Sequence, residues 1–327
     1  MKKGLIVSLL LISGCFFISN DALAAWTQAK GHSYNQLSLS HYHTTKKFTT
    51  LGHDADGNTL LDVPVYRTQT EEFNNTTVSY YLEYGITDKI TGIVSGGWSW
   101  VRSNDNLRYA GDAGPSGVGD INLGLRHKIV DNIANTGILS SIEFIVKIPE
   151  AYDYKDPALY QNLGDGQYDT TAKLKFGRGF NWGYSVLDIS YVYRFKNDQL
   201  DNGASFKPSD QVKVALSGGY NATSWLSIRG QFQWLDSVGN ADVSDALQQL
   251  FVDAGQPLSN GKVVTIKDSL ALEQDLFSLG MDLAFTLKPG LQLVLSYNTD
   301  ISSFFDIKDS KNAALGETYS FAVAYSH

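Results

Sequence analysis

From about residue 30 to the C-terminus, apolar and polar positions alternate with a period of two. In Asn74–Tyr84 one side carries Val78, Tyr80, Leu82 and Tyr84, and the other Asn75, Thr77, Ser79, Tyr81 and Glu83. Between Asp120 and Ile129, Ile121, Leu123, Leu125 and Ile129 oppose Asp120, Asn122, Arg126 and Lys128. Farther on, Ile142, Phe144 and Val146 oppose Glu143 and Lys147, and Ala172, Leu174 and Phe176 oppose Asp169, Lys173 and Lys175. Successive side chains of a strand point to opposite faces, so each stretch predicts a strand with one greasy and one polar face.

Twelve such segments are expected, at 33–45, 72–84, 88–102, 118–130, 137–149, 167–177, 183–196, 209–221, 225–238, 269–287, 291–303 and 315–327. Short connections at 85–87, 131–136, 178–182, 222–224 and 288–290 alternate with long ones at 46–71, 103–117, 150–166, 197–208, 239–268 and 304–314. Turns that are short on one side and long on the other are the rhythm of a membrane barrel. Beyond the first residues no apolar stretch is long enough for a membrane helix, and in lipid only helices and closed barrels satisfy every backbone group. The expected fold class is therefore all-β: a closed antiparallel up-and-down transmembrane barrel of about twelve strands. Its short turns would be periplasmic and its long loops extracellular, and an even strand count would leave both termini on the periplasmic side.

A soluble β-sandwich would alternate too, and two features favour the barrel. Aromatic residues gather at strand ends. Trp98, Trp100, Tyr191, Tyr193, Phe195, Trp234, Tyr297 and Tyr319 lie beside the long loops, and Tyr84, Phe176, Tyr220 and Tyr325 beside the short turns. Two such girdles suit the two headgroup boundaries of a membrane. The final strand places Tyr319, Phe321, Val323 and Tyr325 at alternate positions, which resembles the C-terminal signal read by the barrel-assembly machinery of bacterial outer membranes. That signal usually ends on an aromatic residue, whereas this chain ends on His327.

Composition narrows the class further. Charged residues make up 18% and aromatics 12% of 327 residues, with 18 Tyr and 30 Gly, which is too aromatic for a disordered chain. A net charge of -8 argues against a nucleic-acid partner. Lys2 and Lys3, the apolar run Gly4–Ile18 and Ala22-Leu23-Ala24 read as an export signal, residues 1–24, cleaved after Ala24. Residues 25–327 are then one barrel domain. Ile12-Ser13-Gly14-Cys15 resembles a lipobox and leaves lipidation at Cys15 as an alternative. Cys15 is the only cysteine, so the mature chain would contain no disulfide.

If the barrel closes, the polar faces line its lumen. Glu83, Asp120, Arg126, Lys128, Glu143, Lys147, Asp169, Lys173, Lys175, Asp188, Arg194, Lys213 and Arg229 would point inward. So many charges need water, mutual pairing or both. Twelve strands fall between eight, where side chains fill the interior, and sixteen, where a wide channel remains. A narrow selective pore and a salt-bridged, plugged interior both fit. Arg126, Lys128, Lys147, Lys173 and Lys175 fall on adjacent strands and could form a basic wall facing acids elsewhere. Val243, Ala246, Leu247, Leu250 and Phe251 follow helical spacing behind Asp242 or Ser244 as a cap, which predicts a short helix and a candidate lid in the loop at 242–254.

Other chemistry finds little support. His41 and His43 share a strand face but lack a third ligand. His53–Asn58 looks like half of a calcium loop, with Val65 where the bidentate acid belongs. There is no Gly-x-Ser-x-Gly, and Gly114–Gly117 has turn composition. Gly117-Val118-Gly119 lacks the third glycine of a dinucleotide fingerprint and precedes a strand, so no cofactor is expected. His127 is lipid-facing with no serine partner, which leaves an outer-membrane hydrolase weakly supported.

Several segments resemble a family of bacterial outer-membrane proteins associated with the meta-pathway of phenol degradation. They are Tyr84–Lys89, Gly117–Arg126, Lys147-Ile148-Pro149, Gly164–Asp169 and Gly177-Arg178-Gly179, with motif detail over roughly residues 30–200 and rhythm alone beyond. The resemblance implies an outer-membrane barrel that passes small, aromatic or hydrophobic molecules, and it supplies no catalytic residues. The expected partners are outer-membrane lipid, a small-molecule solute of unknown identity and the assembly machinery. A structural or surface-interaction barrel with a plugged lumen is the rival reading.

Overall fold

The computed structural model describes residues 26–49, 52–53, 59–60, 65–104, 114–255, 262–301 and 314–327. The expected signal segment with Cys15, and most of the half calcium loop, Asp54–Asn58, lie outside the described residues. Twelve long strands follow one another: β1 (Ser33–Thr49), β2 (Val65–Thr87), β3 (Ile90–Asn104), β4 (Ile121–Val130), β5 (Ile138–Ile148), β6 (Asp169–Phe180), β7 (Gly183–Arg194), β8 (Asp210–Asn221), β9 (Leu226–Val238), β10 (Leu276–Lys288), β11 (Leu291–Ile301) and β12 (Ala314–Ser326). A short piece, Ser116–Val118, continues the β4 ladder along β3.

Each strand pairs antiparallel with its neighbours in sequence, and β1 pairs with β12 from Tyr34 opposite Ser326 up to Thr44 opposite Gly316. The sheet therefore closes on itself and presents no open edge. The first strand begins beside the end of the last at one rim, where the amides of Ser33 and His327 each donate to the other's carbonyl.

Alternation decides what each face carries. The outside holds Leu37, Leu39, Leu123, Leu125, Phe144, Leu216, Met281, Leu295 and Phe321, all exposed. An apolar surface of this extent is costly in water and suits a hydrocarbon environment. The inside holds small and polar residues such as Gln36, Ser38, Ser95, Ser141 and Gln233, all buried. No helix among the described residues is long and apolar enough to cross a membrane, so any crossing is made by strands.

At the long-loop end, the loops fold into a layer of their own. Helix α1 (Asp245–Asp253) begins where the Ser244 side chain accepts from the Leu247 amide. It buries Leu247 and Phe251 against Ile266 of a second helix, α2 (Lys262–Ser269), and against Tyr154, Leu200 and Phe206 from other loops. Sequence periodicity alone extends the tenth strand back to residue 269. The strand instead starts at Leu276, because the alternating Leu270 and Leu272 are buried in this cap rather than laid along the sheet. Ala271 leans across the mouth to pack on Tyr42 of β1.

Candidate functional site: the barrel interior

Ladder register sets the inward side chains in rows that cross the strands. One row runs Arg126 on β4, Glu143 on β5, Lys173 on β6, Ser190 on β7 and Lys213 on β8. The next row toward the loops runs Ile93, Gly124, Ile145, Thr171, Val192 and Gln211. Opposite residues in a ladder are in side-chain contact range, so acids and bases interleaved along a row can pair.

Arg126 is the centre of the lower network. Its Nη2 donates to Glu83 at 2.8 Å and lies 2.7 Å from Glu143, its Nε donates to Glu143 at 2.8 Å, and its Nη1 donates to the Trp26 carbonyl at 3.0 Å. Lys173 adds a bond to Glu143 at 3.1 Å, and Lys175 pairs with Asp188. All three nitrogens of a planar fork are thus engaged at once, a geometry a lysine could not supply. Arg126, Glu83 and Glu143 are almost wholly buried, so the charges persist through mutual pairing rather than hydration.

A second network lies toward the loops. Lys147 bonds Asp169 at 2.7 Å and Asp165 at 2.8 Å, with Asp120 at 3.6 Å. Arg194 reaches Asp165 at 3.4 Å, and the Tyr152 hydroxyl donates to Asp120 at 2.7 Å. Asp165 sits in a loop. Burial alone would raise its carboxyl, but Lys147 and Arg194 hold it below the usual carboxylate range. Burial, with Asp120 beside it, pushes the Tyr152 hydroxyl well up. Gly164 makes this closure possible, because a Cβ there would overlap Tyr152 and Asp120.

The first described residues close the other end. Trp26 packs against Leu139, Tyr184 and Val186. The Gln28 side chain donates to Glu83, and its amide donates to Thr91, both within 2.9 Å. The Gly31 amide donates to Gly85 at 2.8 Å. The segment therefore reaches from β2 and β3 across to β5 and β7 beneath the lumen. Between it and the loops lies a cavity of about 320 Å³.

Glu83, Arg126, Glu143, Lys147, Asp169, Lys173, Lys175, Asp188, Arg194 and Lys213 line this cavity. Lys128 points inward near a turn and bonds Asp131 at 2.8 Å, while Asp120 stands just before β4 and contributes through Lys147. Arg229 belongs to the opposite wall, where it faces Asp282 in register and donates to Gln292 at 2.9 Å. Arg126, Lys128, Lys147, Lys173 and Lys175 share one side of the barrel, yet that side is not a basic wall, because the acids lie between them. Trp98, Trp100, Tyr191, Tyr193, Tyr84, Tyr220 and Tyr325 are exposed on the outside, and Trp234 is half-buried there.

Asp165, Tyr152, Gln28 and Trp26 were absent from the sequence-based candidates. Asp165 and Tyr152 lie in a connection and Gln28 and Trp26 ahead of the first strand, where no period marks them. Trp182 and Trp225 were missed for the same reason, although they sit in short turns and stack on Phe180 and Phe285. His41 and His43 face outward and bond Thr76 and Asn74. No group of three metal-binding side chains occurs among the described residues.

No protein-family model and no curated protein matches the chain. Solved structures do. An outer-membrane channel from Pseudomonas putida F1 is similar over 93% of this chain and 98% of its own, with TM-score 0.63 and 13% identity. The NanC porin aligns over 89% of this chain and 98% of its own at TM-score 0.46 and 7% identity. The TodX monoaromatic hydrocarbon channel, a deletion mutant, aligns over 94% of each chain at TM-score 0.44 and 10% identity. At such identities the likeness is one of fold: a closed twelve-stranded antiparallel barrel.

Proposed function

We propose that this chain is an outer-membrane channel that admits small, aromatic or hydrophobic molecules. The observation that carries the reading is a cavity of about 320 Å³ held inside a closed barrel whose outer face is apolar. That volume is at the lower end of ligand-sized pockets. Its lining mixes paired charges with Ile93, Ile145, Val192 and Phe232, so it can hold an apolar body beside polar groups. The fold-level likeness to an outer-membrane channel supports the same reading, as does the motif resemblance to the phenol-pathway family. In this account the mature chain is exported, assembles through its C-terminal strand and contacts lipid through the outer face and its girdles.

A specific observation favours a second reading, a plugged structural barrel. The salt-bridged wall and the segment from Trp26 occupy the end of the lumen near the short turns. Uptake separates the two. In a porin-deficient bacterial strain, expression of the chain should speed entry of a small aromatic such as toluene, measured by its initial rate of appearance in the cell. A rate equal to that of the empty strain, with the barrel present in the outer membrane, would favour the plugged barrel.

A further inference from the structure

The cavity wall holds a base, Lys213, that no carboxylate among the described residues bonds. Among the described residues six bases and five acids line it, and Asp120, 3.6 Å from Lys147, brings the acids of the network to six. Each acid has a partner described above: Glu83 and Glu143 with Arg126, Asp165 and Asp169 with Lys147, and Asp188 with Lys175. Lys213 is left over, since no carboxylate among the described residues bonds its ammonium group. The strongest repulsion on it comes from Arg194, with Lys173 and Lys147 adding to it. Asp169 attracts it, but that carboxylate is already held by Lys147 at 2.7 Å. Arg194 is itself almost wholly buried and keeps Nη1 without an acceptor.

These two donors have a defined placement. On β7 the inward positions run Ser190, Val192, Arg194, and Lys213 stands opposite Ser190 on β8. Four residues separate the two levels, about 13 Å along an extended strand, a gap that two long side chains can close from opposite ends. Val192 lies between them, and Ile145 is two strands away in the same row. Arg194 shares Asp165 with Lys147 and keeps a spare donor, whereas Lys213 has no carboxylate of its own, so an anion between them would offset the cost of burying the ammonium group beside an apolar strip.

We infer that Arg194 and Lys213 form a binding subsite for the carboxylate of a small organic acid whose apolar body lies against Val192 and Ile145. The inference rests on the channel reading and names the class of solute that the channel takes.

Equilibrium binding to the purified full-length chain in detergent tests it, with benzoate as the probe and benzamide as its neutral isostere. Benzoate should bind about tenfold or more tightly than benzamide, as loss of a charge-assisted bond predicts. Lys213→Gln should bring that ratio to near one, and Lys213→Arg should restore it. Heat-dependent gel migration verifies that each variant has folded, and Lys213 takes part in no ion pair that the barrel needs. A wild-type ratio near one, a ratio that survives in Lys213→Gln, or no benzoate binding at millimolar concentration would each overturn the subsite. Failure of the channel reading would appear separately, as absent cellular uptake with benzoate binding intact.

Discussion

Arg126 shows what a single residue does in this barrel. It joins two buried carboxylates and the carbonyl of Trp26. Removing one partner of a buried ionic network strands the others, a loss of about 3–5 kcal/mol. Arg126→Ala should therefore lower the urea midpoint of the folded barrel by a corresponding amount. Arg126→Lys should recover only part of it, because an ammonium group cannot satisfy the same fork of acceptors. Gly164→Ala should displace Tyr152 from Asp120, seen as increased proteolysis of the loop at 150–168 while the barrel itself stays folded. The tie between Asp165 and Lys147 carries its own pH signature. The carboxyl is depressed in the folded chain, so its contribution is complete above the ordinary carboxylate range and fades as pH falls through the depressed value. Amide protection factors at Asp165, with the intrinsic exchange rate divided out, should hold through the range where a free carboxylate titrates and fall only in stronger acid; loss of protection centred on that ordinary range would contradict the assignment. Alternation revealed which of these residues share a face, as with Glu83, Arg126 and Glu143. It could not reveal that Asp165 and Gln28 complete the networks, because each arrives from a segment with no period.

At the scale of elements, strands were legible wherever one face meets lipid and the other the lumen. That contrast is what writes a period of two into the sequence. The cap obeys a different rule. Its helices bury Leu247, Phe251 and Ile266 in a small core, so helical spacing marked α1 but left the short α2 hidden beside Leu270 and Leu272. Leu247→Ala should cost about 2–5 kcal/mol of local packing, and Ser244→Ala about 1 kcal/mol through the lost cap. Limited proteolysis should then cut the cap sooner while the heat-dependent gel shift of the barrel is kept. The segment at the other end depends on Gly85, where a Cβ would overlap the Ala29 carbonyl. Gly85→Val should therefore push the segment from beneath the lumen and raise single-channel conductance. An unchanged conductance in a folded Gly85→Val barrel would show that the segment does not limit passage.

The molecule as a whole is a compromise between a wall that must close and a lumen that must stay usable. Closure leaves no sheet edge, and an apolar outer surface makes lipid the natural surroundings of the barrel. Inside, charges on β2 and β4–β8, paired except at Lys213, narrow the lumen, while the wall from β9 round to β1 carries mainly small and neutral residues such as Ser278, Ala284, Ser296 and Ala322. Passage through such a space depends on width, charge and the two end closures together. Planar-bilayer recording of the purified full-length chain tests this most directly. Small, discrete conductance steps are expected from the wild type, each larger once Trp26→Ala loosens the lower closure. Protein that shows the heat-dependent gel shift of a folded barrel, yet gives no steps in either form, would contradict this expectation.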